Sequence, residues 1–114
     1  MTSDRRALGA RGEELAARWY CERGYEILDR NWRCRAGEID IVARRDRTLV
    51  VCEVKTRSSD AFGSPAAAVT RSKQLRLRRL AMAWLEAHDR RGVHVRFDVA
   101  CVVGGRVDVV VAAF

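Results

Sequence analysis

Lysine is nearly missing from this sequence. Of 22 basic residues, 20 are arginines, and only Lys55 and Lys73 are lysines. No apolar run approaches the roughly 18 residues that a bilayer-crossing helix requires. No signal-type hydrophobic stretch follows Met1-Thr2-Ser3-Asp4-Arg5-Arg6, so a cytoplasmic protein with no membrane partner is expected. The four cysteines, Cys21, Cys34, Cys52 and Cys101, form no Cys-x-x-Cys pair, which excludes the common zinc and dithiol spacings. Cys52 and Cys101 sit in apolar strand patterns, where a thiol behaves as a small hydrophobe, so reduced structural cysteines are expected. His88 and His94 are isolated, near a predicted helix end and strand start, and offer no imidazole chemistry. Internal repeats and low-complexity tails are absent as well.

What is present fits one domain over residues 1–114, with a normal apolar share of 48%. The net charge of +7 and a pI near 10 suit a polyanionic partner, nucleic acid first. The competing explanation is arginine-rich coding composition, which would raise the charge everywhere.

Helical spacing of Leu8, Gly12, Leu15, Ala16 and Trp19 predicts a helix over about 5–23 behind a frayed start, with Gly24 as its stop. Tyr25 to Leu28 reads as a strand, and Asn31 to Gly37 as an arginine-bearing connection. Residues 38–44 and 48–56 form a hairpin turning through Arg45-Asp46-Arg47. The polar stretch 57–65, closed by the single proline Pro65, reads as a loop, and Ala66 to Val69 as a helical turn. Thr70 or Ser72 caps a second helix running to about Asp89. A second hairpin, 93–103 and 106–112, turns through Gly104-Gly105. The order α-β-β-β-α-β-β predicts an α/β sandwich around a mixed sheet.

The chemistry concentrates in the first hairpin. Gly37-Glu38-Ile39-Asp40-Ile41 is followed by Glu53-Val54-Lys55. Strand alternation puts Glu38 with Asp40 on one face and Glu53 with Lys55 on one face. Apolar neighbours surround these carboxylates, and buried carboxylates are costly unless neutralised. Two such charges ~4 Å apart repel by about 4 kcal/mol at an effective dielectric of 20. A divalent cation and an adjacent ammonium answer that repulsion. A lysine where arginine is the default suggests a role for a compact point charge beside a phosphate oxygen or attacking water.

The pattern Asp40-x12-Glu53-x-Lys55 resembles the active-site signature of the restriction-endonuclease-like superfamily, written PD-(D/E)xK, with Ile39 in place of the proline. A wider set of residues is similar to the YraN-like bacterial family of small endonuclease-like proteins. It comprises Gly12-Glu13, Gly24-Tyr25, Arg30-Asn31, Gly37-Glu38-Ile39-Asp40, Glu53-Val54-Lys55-Thr56-Arg57, Phe62-Gly63, Lys73, Arg96-Phe97-Asp98-Val99 and Ala113-Phe114. The resemblance implies a restriction-endonuclease-like three-layer sandwich and a metal-dependent nuclease that hydrolyses phosphodiesters in DNA, with structure-specific substrates in view. It makes Asp40 and Glu53 ligands of Mg²⁺ or Mn²⁺, with the Val54 carbonyl as a third, and Lys55 the group that orients or activates water. In related junction-resolving nucleases a first-helix glutamate completes the site, which points to Glu13. Those relatives work as two-fold dimers, which implies a homodimer here.

Glu13 lies about 100° from a stripe centred on Gly12 and Trp19, while Glu14 points to solvent. Glu38 is a further candidate ligand, or a partner for an arginine. Lys73 falls on the stripe of Leu77, Leu80 and Trp84, so its charge belongs near the carboxylates or a substrate phosphate; Gln74 lies at the stripe's edge. Arg33, Arg35 and Arg57 flank the hairpin as candidate phosphate contacts. Arg71, Arg76, Arg78 and Arg79 read first as a solvated helix face. Trp32 is a rim residue before it is a base-stacking platform, and Asp98 a structural hydrogen-bonding group. Two alternatives remain: a non-catalytic nucleic-acid-binding or scaffold protein that keeps a nuclease fold, and an arginine-rich RNA- or ribosome-associated protein.

Overall fold

In a computed structural model, residues 2–57 and 69–114 of the chain are described, with side chains from Ala7 onward. Helix α1 spans Thr2–Glu22 and α2 spans Arg71–Ala87. The strands are β1 (Glu26–Cys34), β2 (Gly37–Arg45), β3 (Thr48–Arg57), β4 (His94–Val103) and β5 (Arg106–Val110). The order α-β-β-β-α-β-β is the expected one.

All five strands form one sheet in the order β1-β2-β3-β4-β5. Neighbours are antiparallel except β3 and β4, which pair in parallel from Thr48↔His94 to Arg57↔Val103. A parallel pair needs a long crossover, and the segment containing α2 supplies it. The crossover brings the start of α2 back to the end of the sheet where β3 finishes.

The two helices cover opposite faces. Ala16, Ala17 and Tyr20 of α1 pack on Ile41, Ala43, Val50, Cys52 and Ala100. On the other face, Leu77, Leu80, Ala81 and Trp84 of α2 pack on Ile39, Val42, Leu49, Val51, Phe97 and Val99. Each fully buried aliphatic or aromatic side chain contributes about 1.5–3 kcal/mol, so these two layers are the main source of stability. Along β3 the sides alternate regularly, with Leu49 and Val51 toward α2 and Val50 and Cys52 toward α1. β2 does not alternate. Ile39 and Val42 face α2 while Ile41 and Ala43 face α1, so this strand changes sides at Asp40.

Several boundaries differ from the sequence reading. α1 begins at Thr2 rather than near residue 5. It ends as expected: Gly24 adopts φ 83, and the Tyr25 N–H closes the helix on the Tyr20 carbonyl at 3.1 Å. The stretch 31–34 is strand and not connection, because β1 continues to Cys34 and pairs Trp32↔Ile39, Arg33↔Glu38 and Cys34↔Gly37. An edge strand with one solvated side tolerates the arginines that made this stretch look like a loop. Thr70 is the α2 cap, its Oγ1 accepting from the Lys73 N–H at 3.4 Å. The loop and helical turn expected over 57–69 lie outside the described residues, except for their ends at Arg57 and Val69. Among the described residues no helix is long and apolar enough to cross a membrane.

Candidate functional site

β2 and β3 pair from Arg45↔Thr48 to Ile41↔Cys52, and there the ladder stops. Beyond that point the Val54 N–H donates to the Asp40 carboxylate, Oδ2, at 2.8 Å, so a side chain takes the place of a strand carbonyl. Asp40 therefore sits where the sheet opens. The neighbouring strand bends with it: the pairs Arg30↔Ile41 and Trp32↔Ile39 enclose Asn31, which has φ 53. Asparagine is among the few residues that visit this left-handed region readily.

Burial pushes the Asp40 carboxyl up to about 7, and the charges of Glu53, Glu13 and Glu38 act in the same direction. The Val54 N–H opposes them by favouring the carboxylate. Glu38, Asp40 and Glu53 line one cavity of about 230 Å³, together with Gly37, Arg76 and Leu77.

Glu53 and Lys55 do share a face of β3, with Lys55 Nζ 3.3 Å from Glu53 Oε1. Both side chains are more than four-fifths buried, with exposures of 19% and 17%. Their attraction, about 5 kcal/mol at an effective dielectric of 20, is largely offset by the loss of hydration. The Lys73 side chain reaches Lys55 from the first turn of α2, and that ammonium neighbour holds Lys73 below the usual lysine range. Glu53 pulls the other way.

Glu13 is half-buried on α1. The buried stripe of that helix runs through Gly12, Ala16, Ala17 and Tyr20 rather than through Trp19, so Glu13 lies closer to its centre than predicted. The hydroxyl of Tyr20 donates to Asp98 Oδ2 at 2.7 Å, and this buried bond fixes the helix's rotation. Glu13 acts on Asp40 from the α1 side and does not line the cavity. Glu14 is exposed and pairs with Arg30 at 2.9 Å.

The flanking candidates are dispersed. Arg33 is 3.7 Å from Glu38, its partner across the strands, and Arg35 is exposed in the β1–β2 turn. Arg57 ends β3. The Gln74 amide donates to the Val69 carbonyl at 3.2 Å, so its nitrogen serves the entry to α2. Trp32 packs against the core beside His88, 6.2 Å between rings. Asp98 is structural as expected, accepting from Tyr20, from Arg96 twice at 2.9 Å and from the Ala112 N–H at 3.0 Å. All four cysteines are free. The residue the sequence reading undervalued is Arg76. It lines the carboxylate cavity, and its place one turn after Lys73 was the available signal.

Among the described residues no three His, Cys, Asp or Glu side chains converge as a ready cage for an ion. The donor set nevertheless fits a hard cation of the Mg²⁺ type, which is commonly held by one or two carboxylates with water completing the shell. Asp40 and Glu53 would be those carboxylates, and burial, with the nearby acidic charges second, raises the proton affinity of Asp40.

Residues 12–102 match the profile described as Uncharacterised protein family UPF0102. A UPF0102 protein of Beutenbergia cavernae is 56% identical over 100 residues, covering 88% of this chain and 85% of the relative. One from Nocardia farcinica is 53% identical over 100 residues, covering 88% and 79%. Another, from Acidothermus cellulolyticus, is 52% identical over 116 residues, covering 93% and 88%. With most of its length matched by the profile and by relatives above half identity, the chain belongs to UPF0102, the YraN-like family.

Proposed function

We propose that this protein is a metal-dependent nuclease that hydrolyses phosphodiester bonds in DNA. The observation that carries the reading is Asp40. A carboxylate is set where the sheet opens, raised to about 7 by burial and by Glu53, Glu13 and Glu38, while Lys55 pairs with the neighbouring Glu53 and Lys73 lies beside Lys55. Such an arrangement is unfavourable for stability alone, and perturbed carboxylates in a cavity are characteristic of sites that do chemistry.

Asp40 and Glu53 would hold the cation, with Glu38 and Glu13 adding negative charge nearby. When bound, Mg²⁺ or Mn²⁺ supplies Lewis acidity toward a phosphoryl oxygen and acidifies coordinated water. Lys55, held by Glu53, sets a positive charge where it offsets charge growing on the phosphorane. Lys73, beside Lys55, holds its proton less tightly than an isolated lysine and would add positive charge for a substrate phosphate. Arg76, on the cavity wall, is a donor for a substrate phosphate.

The test is cleavage of plasmid, single-stranded and four-way-junction DNA with Mg²⁺ or Mn²⁺. Wild type is expected to cut at least one of them, and Glu53→Ala and Lys55→Ala to lose 10²-fold or more in rate, on the order expected for a lost electrostatic contact. DNA binding without cleavage under either metal would overturn the reading and favour a scaffold that keeps the fold.

A further inference from the structure

The end of the sheet remote from the carboxylate cavity carries a basic groove that the proposed hydrolysis does not use. The β2–β3 turn and the connection from α2 to β4 meet there around an open cavity of about 550 Å³. Arg44, Arg47, Arg90 and Arg91 line it, against Asp46 and Asp89, so positive charge is in excess.

The two walls are fixed relative to one another. The His94 N–H donates to the Arg47 carbonyl at 2.8 Å, tying the turn to the start of β4. The Arg90 N–H closes the end of α2 on the Leu85 carbonyl at 3.0 Å. Asp46 and Asp89, one on each wall, take left-handed backbone conformations, φ 54 and 48. Arg44 is engaged by Glu26 at 3.2 Å and Arg91 lies 4.0 Å from Asp89. Among the described residues Arg47 and Arg90 have no carboxylate within ion-pair distance. Two unpaired guanidiniums from different segments, held beside one opening, repel unless an anion lies between them.

We infer that this groove grips backbone phosphates of duplex nucleic acid at a point separate from the carboxylate cavity. The choice of polyanion rests on the proposed nuclease reading; the groove itself does not. Arg47 lies six positions before Glu53 along the chain. At ~3.3 Å per residue the two regions are roughly 20 Å apart. A duplex rising 3.4 Å per base pair covers that distance in about six pairs. Guanidinium suits the task because it binds phosphate oxygens through two donors and reads no base.

The experiment is fluorescence anisotropy with a duplex DNA of about 20 base pairs, without divalent metal, between about 50 and 200 mM salt. Arg47→Gln/Arg90→Gln should weaken binding on the order of tenfold or more and reduce the slope of log K against log salt by about 1.8. Arg47→Lys/Arg90→Lys should restore the slope. Arg47 is exposed and Arg90 half-buried, and neither holds an ion pair with a carboxylate among the described residues, so the melting temperature of the double variant should stay close to wild type. An unchanged slope in the Gln variant overturns the groove, whatever the cleavage result. So does absence of duplex binding at the lowest salt, including the case in which phosphatidylglycerol vesicles bind instead. Loss of slope in a protein that never cleaves leaves the groove standing while removing the nuclease.

Discussion

Asp40→Asn should make this protein more stable at alkaline pH and leave it unchanged in acid. The folded-state carboxyl titrates at about 7 against an ordinary 3.8, a difference of about three pH units. Each unit is worth 1.36 kcal/mol, so ionising Asp40 in the folded protein costs about 4 kcal/mol once the pH exceeds 7. The sign follows from proton counting. Between pH 3.8 and about 7 the folded state holds a proton that the unfolded state has released, so stability falls as pH rises. The contribution is complete below the unfolded value and lost through the folded one. Asparagine keeps an acceptor for the Val54 N–H and carries no charge, so it imitates the protonated acid. Relaxation of the cavity reduces the effect, and a gain of about 2–4 kcal/mol at pH 8 is expected. Urea denaturation of both proteins without divalent metal, from about pH 4 to 8.5, reads the difference directly and cancels the other titrating groups. A variant less stable than wild type at pH 8, or a gap that ignores pH, would refute the reasoning.

Mg²⁺ or Mn²⁺ at a hundredfold excess over its dissociation constant should stabilise the folded protein by about 2.7 kcal/mol. A thermal melt should show this as a rise of several degrees that Glu53→Ala removes, and a metal-insensitive wild type would contradict the proposed ligand set. Asn31, at φ 53, should accept glycine with little loss, whereas Asn31→Val should destabilise by about 1–2 kcal/mol in urea melts. Equal stability of the two variants would show that the positive φ is not required.

Much of this arrangement was legible in the residues because it rests on local periodicity. Alternation along β3 places Glu53 beside Lys55 whatever the rest of the chain does, and the stripe of Leu77, Leu80 and Trp84 carries Lys73 toward the sheet. Three things were not local. The side-change of β2 at Asp40 sits opposite the bend around Asn31 in the neighbouring β1, and Glu38 and Asp40 reach one cavity without simple alternation. The rotation of α1 depends on the bond from Tyr20 to Asp98, 78 positions away, and that bond outweighs the larger indole of Trp19. The place of Arg76 on the cavity wall follows from the crossover, which no helical wheel displays.

The edges of the sheet bear on self-association. β1 is interrupted by a register shift between Ile27 and Asp29, twists again at Asn31, and exposes Arg30 and Arg33. β5, at the opposite edge, is only five residues long. An incoming strand finds no flat, neutral template along β1 and only a short one along β5, and two copies meeting along β1 would set guanidinium against guanidinium. Continuation of the sheet into a neighbouring molecule across β1 is therefore disfavoured by charge and by shape.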